Sequence, residues 1–252
     1  MRGSAAPRPP NLMNVLVTFA LRSELAPWLR LRTFRRVPLG RYAFYETLLA
    51  GSTVRILLTG VGPAHARRAI RAALETRPDA VLASGLCGAL KPSLEVGDIL
   101  AARLVRCEGT AQALASSPDW LDLAVRCGAQ AVDAFISTPA VAGTVEAKAA
   151  LGSDADAVDM ESFPIIEEAL RAGVPALALR CVSDASHTVL PWDFSRLLDA
   201  HGRLNPRQLA LELLRAPRAI PSLLRFARAS HRATLRLAQF LDLYLRKALD
   251  RP

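Results

Sequence analysis

Residues 157–185 read AVDMESFPIIEEALRAGVPALALRCVSDA, and this stretch fixes the class of fold. Ala157 to Met160 reads as a short strand and Ser162 to Ala172 as a helix. Pro175 to Val182 is a nearly unbroken apolar run, as a strand covered on both faces requires. Strand, helix and strand in immediate succession is the repeating unit of an α/β sheet. An acidic side chain follows each strand, Glu161 after the first and Asp184 after the second. Ligands of such sheets sit beyond the carboxyl ends of the strands, so these two positions are the first to inspect.

Working outward, the same alternation continues. Met13 to Ala20 reads as a strand, Glu24 to Leu31 as a helix, and Tyr42 to Ala50 with Thr53 to Thr59 as a hairpin turning at Gly51-Ser52. Helices are expected over Ala64 to Thr76, Pro118 to Cys127 and Val145 to Gly152, and strands over Ala80 to Ser84, Asp98 to Arg106 and Ala131 to Thr138. The expected architecture is α/β, a mixed, mainly parallel central sheet flanked by helices, spanning residues 13–200. Residues 1–12 read as a disordered tail. Beyond Asp193 the pattern is helical, and residues 201–252 form a basic amphipathic helical extension packed on the domain.

Composition narrows the class further. A chain of 252 residues that is 51% hydrophobic can bury a large core. Its four cysteines, Cys87, Cys107, Cys127 and Cys181, form no C-x-x-C pair, which suggests neither a disulfide framework nor a zinc site and fits a reducing cytosol. Met1 to Pro10 has no apolar core of a secretory signal, and the longest apolar runs are far short of the roughly 20 residues that cross a bilayer. The net charge is +9, but residues 202–252 hold ten arginines and Lys247 against Glu212, Asp242 and Asp250, leaving the body nearly neutral. That distribution does not suggest nucleic-acid binding. Arg225, Arg228, Arg232 and Arg236 recur at helical spacing opposite Phe226, Ala233, Leu237, Phe240, Leu241 and Tyr244. Such a stripe is either a solvated face or a surface for peripheral contact with an anionic membrane.

Four motifs lie at strand ends. Thr59-Gly60-Val61-Gly62-Pro63 is a glycine turn whose helix N-terminus could face an anion. A dinucleotide reading would need an acid at the end of the next strand, and the nearby Asp79 lies before it. Ser84-Gly85-Leu86-Cys87-Gly88-Ala89 allows close backbone approach, and Val158-Asp159-Met160-Glu161-Ser162 and Val182-Ser183-Asp184 supply carboxylates. On spacing alone, Glu161 could simply cap a helix and Asp184 could be an ordinary loop aspartate.

Taken in order, these four motifs resemble the signatures of the nucleoside phosphorylase superfamily, which includes the methylthioadenosine and adenosylhomocysteine nucleosidases. The similarity runs from about Met13 to Ala185, and the basic helical C-terminus looks closest to phosphorylases associated with hopanoid synthesis. The resemblance implies cleavage of the N-glycosidic bond of a purine nucleoside, an adenine nucleoside with a modified 5′ group. Asp184 would protonate the base, Glu161 and Met160 would hold the ribose, and Val141, Ala142 and Ser183 would touch the base. It implies no cofactor or metal, a small-molecule partner, a cytoplasmic location and a homo-oligomer. A non-catalytic nucleoside-binding module is the rival reading; an acid poised at the base argues against it.

For the acceptor the resemblance points both ways. Glu24 stands where hydrolytic members place a water-orienting glutamate. Phosphate, the expected co-substrate on the look of the whole chain, would be held around Gly62, Arg22, Gly85 and Leu86, although Ala83 and Leu86 replace the arginine and serine of phosphorolytic relatives. Arg67 and Arg68 are either further phosphate ligands or surface residues. The short segment between Asp98 and Pro118 implies a pocket open to a bulky 5′ group.

Overall fold

The computed structural model describes residues 12–190 and 217–250, with Gln208, Leu211 and Arg215 between them. Most of the expected N-terminal tail, and the expected join near residue 200, lie outside the described residues. Among the described residues ten strands form one sheet: β1 (Asn14–Phe19), β2 (Arg35–Leu39), β3 (Tyr42–Leu49), β4 (Ser52–Leu58), β5 (Ala80–Ala89), β6 (Ile99–Cys107), β7 (Ala113–Ala115), β8 (Gln130–Ser137), β9 (Ala157–Asp159) and β10 (Ala176–Asp184). The helices are α1 (Arg22–Leu31), α2 (Pro63–Leu74), α3 (Pro118–Arg126), α4 (Val145–Leu151), α5 (Ser162–Arg171) and α6 (Ile220–Leu249). No helix among the described residues is long and apolar enough to cross a membrane.

The sheet is mixed, and its centre, β4-β1-β5-β10, is parallel. Strand alternation sorts its side chains onto two helical layers. Val15, Val17, Leu177 and Leu179 pack in one cluster with Leu25 and Trp28 of α1 and Leu237, Leu241 and Tyr244 of α6. Leu16, Val81, Ala83 and Ala178 face the other way, in a cluster with Ile70 of α2 and Ile166 of α5. The second half of α6 therefore belongs to the core, with Ala233, Leu237, Leu241 and Leu245 buried and the Tyr244 hydroxyl donating to the Trp120 carbonyl at 2.8 Å.

Three features depart from the strand pattern read in the sequence, one of them the short strand β7, which pairs with β6. The arginine-rich segment Arg35–Leu39 is an edge strand; it is largely exposed, so its sequence lacks the alternation that marks a half-buried strand. More consequentially, β5 does not end at Ser84 but continues to Ala89 by changing partner. Its first half, Ala80–Ala83, pairs with Val15–Thr18 of β1, while Gly88 and Ala89 pair with Val158 and Ala157 of β9. On its other edge β5 pairs with β10 from Val81 to Gly88. With β10 on β6, β6 on β8 and β8 on β9, five strands close into a ring. Ser84 to Cys87 are left without a strand on the edge between β1 and β9, and that break opens the cavity.

Candidate active site

A cavity of about 590 Å³ lies at this break. Glu24, Asp159, Glu161 and Asp184 line it, with Met160, Ser183, Leu86, Val141 and one face of α6, and no lysine or arginine among the described residues does so. Of the expected site residues, the structure thus brings Glu24, Leu86, Val141, Met160, Glu161, Ser183 and Asp184 together. Ala142 lines a small adjoining recess shared with Val141, Met160 and Asp184.

Glu24 is fixed by the chain reversal into α1. Its Oε2 accepts from the amides of Ala20 at 2.9 Å and Leu21 at 3.0 Å, and its Oε1 accepts from the Leu86 amide at 3.3 Å. Burial pushes its carboxyl above the usual range, against the Leu21 amide and the Arg180 charge, which favour the anion.

Glu161 takes the N-cap position of α5, but its side chain does not cap the helix. Its Oε1 accepts from the Gly62 amide at 2.8 Å, and Gly62 can present that amide because its φ of 97° suits glycine. The helix start is satisfied instead by Asp159, which accepts from the Ser162 amide at 3.2 Å. Burial pushes the Glu161 carboxyl up to about 7; Arg180 opposes the shift and the neighbouring Asp159 adds to it.

Beneath these carboxylates lies Arg180, 1% exposed, whose Nη2 is 2.7 Å from Asp159 and 3.6 Å from Glu161. Gly85 makes room for it: at a φ of 143°, a Cβ there would stand 2.5 Å from Arg180 Nη1. Asp184, at the end of β10, faces Lys148 of α4, whose Nζ donates to Asp184 Oδ2 at 2.5 Å. Gly88 leaves space for that carboxylate, since a Cβ there would lie 3.0 Å from Oδ2.

The expected phosphate set is not assembled. Arg22 is exposed and does not line the cavity, because α1 turns that side chain outward while Glu24 turns in. The Gly62 amide is taken by Glu161, and Gly85 packs on Arg180. Arg67 is paired with Glu167 and Glu168 at 2.5 and 2.6 Å, and Arg68 lies beside His65 on an exposed surface. Both are surface residues of α2.

Arg180, Asp159, Lys148 and the cavity face of α6, formed by Leu223, Phe226, Ala227, Ser230, His231 and Thr234, were not read as site residues in the sequence. For Arg180 a signal existed, a lone charge inside a buried apolar strand, which requires a buried partner. Lys148 carried none; nothing in the sequence separates it from a surface lysine of a short helix.

Three comparisons bear on this arrangement. Over 202 residues the chain is 28% identical to a 5′-methylthioadenosine/S-adenosylhomocysteine nucleosidase of Anoxybacillus flavithermus, covering 68% of this chain and 85% of the relative. In fold it matches a Helicobacter pylori futalosine hydrolase mutant at a TM-score of 0.73 and 18% identity, over 94% of this chain and all of the other. It also matches the Helicobacter pylori 5′-methylthioadenosine/S-adenosylhomocysteine nucleosidase with butyl-thio-DADMe-Immucillin-A, at a TM-score of 0.74 and 19% identity, over 94% and 99% of the two chains. The family model described as the phosphorylase superfamily matches residues 15–215, so the chain belongs to that superfamily.

Proposed function

We propose that this protein hydrolyses the N-glycosidic bond of a purine nucleoside, with water rather than phosphate as the acceptor. The observation that carries the choice is the acidic lining of the cavity: four carboxylates and, among the described residues, no lysine or arginine. Arg180, the cation beneath it, is already matched by Asp159 and Glu161. A phosphate dianion entering that field would be repelled, whereas a water can be oriented there by a carboxylate. A nucleosidase and a hydrolase among the named similar proteins support the same reading.

The residues divide the reaction as the resemblance implies. As the bond from C1′ to N9 breaks, its electron pair passes into the purine and Asp184 delivers a proton to N7. The water oxygen bonds to C1′ and its proton passes to Glu24, whose raised proton affinity suits a base. Exchange with solvent returns the proton balance. Glu161, as the carboxylate, accepts from the ribose 2′- and 3′-hydroxyls, beside Met160. Leu223, Phe226 and Ala227 of α6 give the cavity an apolar wall, which suits an adenine nucleoside with an apolar 5′ substituent. The opposite face of α6, where Arg225, Arg228, Arg232 and Arg236 are exposed, suits peripheral contact with an anionic membrane; co-sedimentation with anionic vesicles tests it, and no binding rejects it.

Adenine release from methylthioadenosine, adenosylhomocysteine and adenosine in phosphate-free buffer tests the main reading. Release by the wild type and its loss in Asp184→Asn support it. Release that depends on added phosphate contradicts it.

A further inference from the structure

Lys148 is 1% exposed, on a seven-residue helix, and the chemistry described so far leaves it unused. A buried ammonium is costly unless all its hydrogens find acceptors. Here Nζ has three: Asp184 Oδ2 at 2.5 Å, the Ala185 carbonyl at 2.8 Å and the Thr188 carbonyl at 3.2 Å. The two carbonyls can only accept, so they hold two of the three hydrogens and leave the third direction to Oδ2.

Resting on the hydrolase reading, we propose that Lys148 is the positioning residue of the acid: it engages Asp184 Oδ2, so that only Oδ1 carries the proton to the purine. The surroundings of Oδ1 fit this division. Ser183 Oγ lies 2.6 Å from Oδ1 and 3.1 Å from the Cys87 carbonyl, and a hydroxyl has one hydrogen. Turned to Oδ1, that hydrogen stabilises the carboxylate. Turned to the Cys87 carbonyl, it leaves an oxygen lone pair to receive a proton held on Oδ1. One arrangement of heavy atoms thus accommodates Asp184 with and without the transferable proton. When Oδ1 gives its proton to N7, the charge left on Asp184 faces the Lys148 ammonium, and the Ser183 hydroxyl rotates to meet it. Gly88 leaves room beside Oδ2, where a Cβ would stand 3.0 Å away.

The test compares wild type, Lys148→Met and Lys148→Arg in kcat and KM. In Lys148→Met kcat falls roughly 10- to 100-fold, less than the loss of the acid itself, and KM changes little. Lys148→Arg keeps the charge but not the fit, so kcat falls there too. An unchanged kcat in Lys148→Met, or a loss confined to KM, overturns the proposal. Should Lys148→Met fail to fold, the arginine variant decides: wild-type kcat there overturns it. If the wild type releases no base from any nucleoside, the hydrolase reading fails, and the pair is read separately by ¹⁵N NMR. A Lys148 ammonium signal that shifts in Asp184→Asn supports the pairing; one that does not shift, or a neutral amine, contradicts it.

Discussion

At the scale of single residues, the site is a set of carboxylates kept in place by backbone amides and two buried cations. Glu161 shows the cost. Its folded-state value of about 7 lies above the ordinary glutamate value, so the folded protein holds a proton that the unfolded chain releases between about pH 4.5 and 7. Stability therefore falls as pH rises through that window, and the cost is complete above it. Glu161→Gln should be more stable than wild type at pH 8 by about 1 to 3 kcal/mol and nearly equal at pH 4, measured by urea unfolding. In the proposed reaction the ribose hydroxyls need the Glu161 carboxylate, so 1/KM should rise with pH through about 7, and the glutamine variant should lose that rise. At Asp184 the expected change is different in kind. Asp184→Asn should keep nucleoside affinity and lose roughly 10²- to 10⁴-fold in kcat. Glu161 and Asp184 stood out in the sequence because each follows a recognisable strand, and Glu24 only through the family resemblance. Their supports did not: the Lys148–Asp184 and Arg180–Asp159 pairs join residues 36 and 21 positions apart, and only tertiary packing brings them together.

At the scale of elements, α6 carries the clearest division of labour. Its amphipathic character was legible from the arginine spacing, but not that its first half walls the cavity while its second half completes the core. The two roles predict separable effects. Leu237→Ala, at a fully buried position, should cost about 2 to 5 kcal/mol in urea unfolding, whereas Arg232→Ala, on the exposed face, should change stability by less than about 0.5 kcal/mol. Phe226→Ala should leave adenosine turnover nearly unchanged and raise KM for substrates with an apolar 5′ group roughly 10-fold, in steady-state assays of matched substrates. β5 teaches the complementary lesson. The small residues of Ser84 to Ala89 read as a segment of close backbone approach beyond the end of a strand, and glycine ordinarily weakens strands. Here Gly85 and Gly88 are strand residues whose missing side chains leave room for Arg180 and Asp184.

At the scale of the whole molecule, the parallel centre of the sheet followed from the alternation of strands and helices, while the ring closure did not. It depends on Gly88 meeting Val158 and Leu179 meeting Ala101, pairings between segments far apart in the chain that no local pattern encodes. That closure turns an ordinary sheet edge into a cavity lined by four carboxylates, and the acidity of the lining is the basis for choosing water over phosphate. The most direct test is to run the reaction to completion on methylthioadenosine in H₂¹⁸O with phosphate present and analyse the sugar product by mass spectrometry. The product should be the free sugar, with ¹⁸O at C1′ from the attacking water. A sugar 1-phosphate without the label would contradict the account.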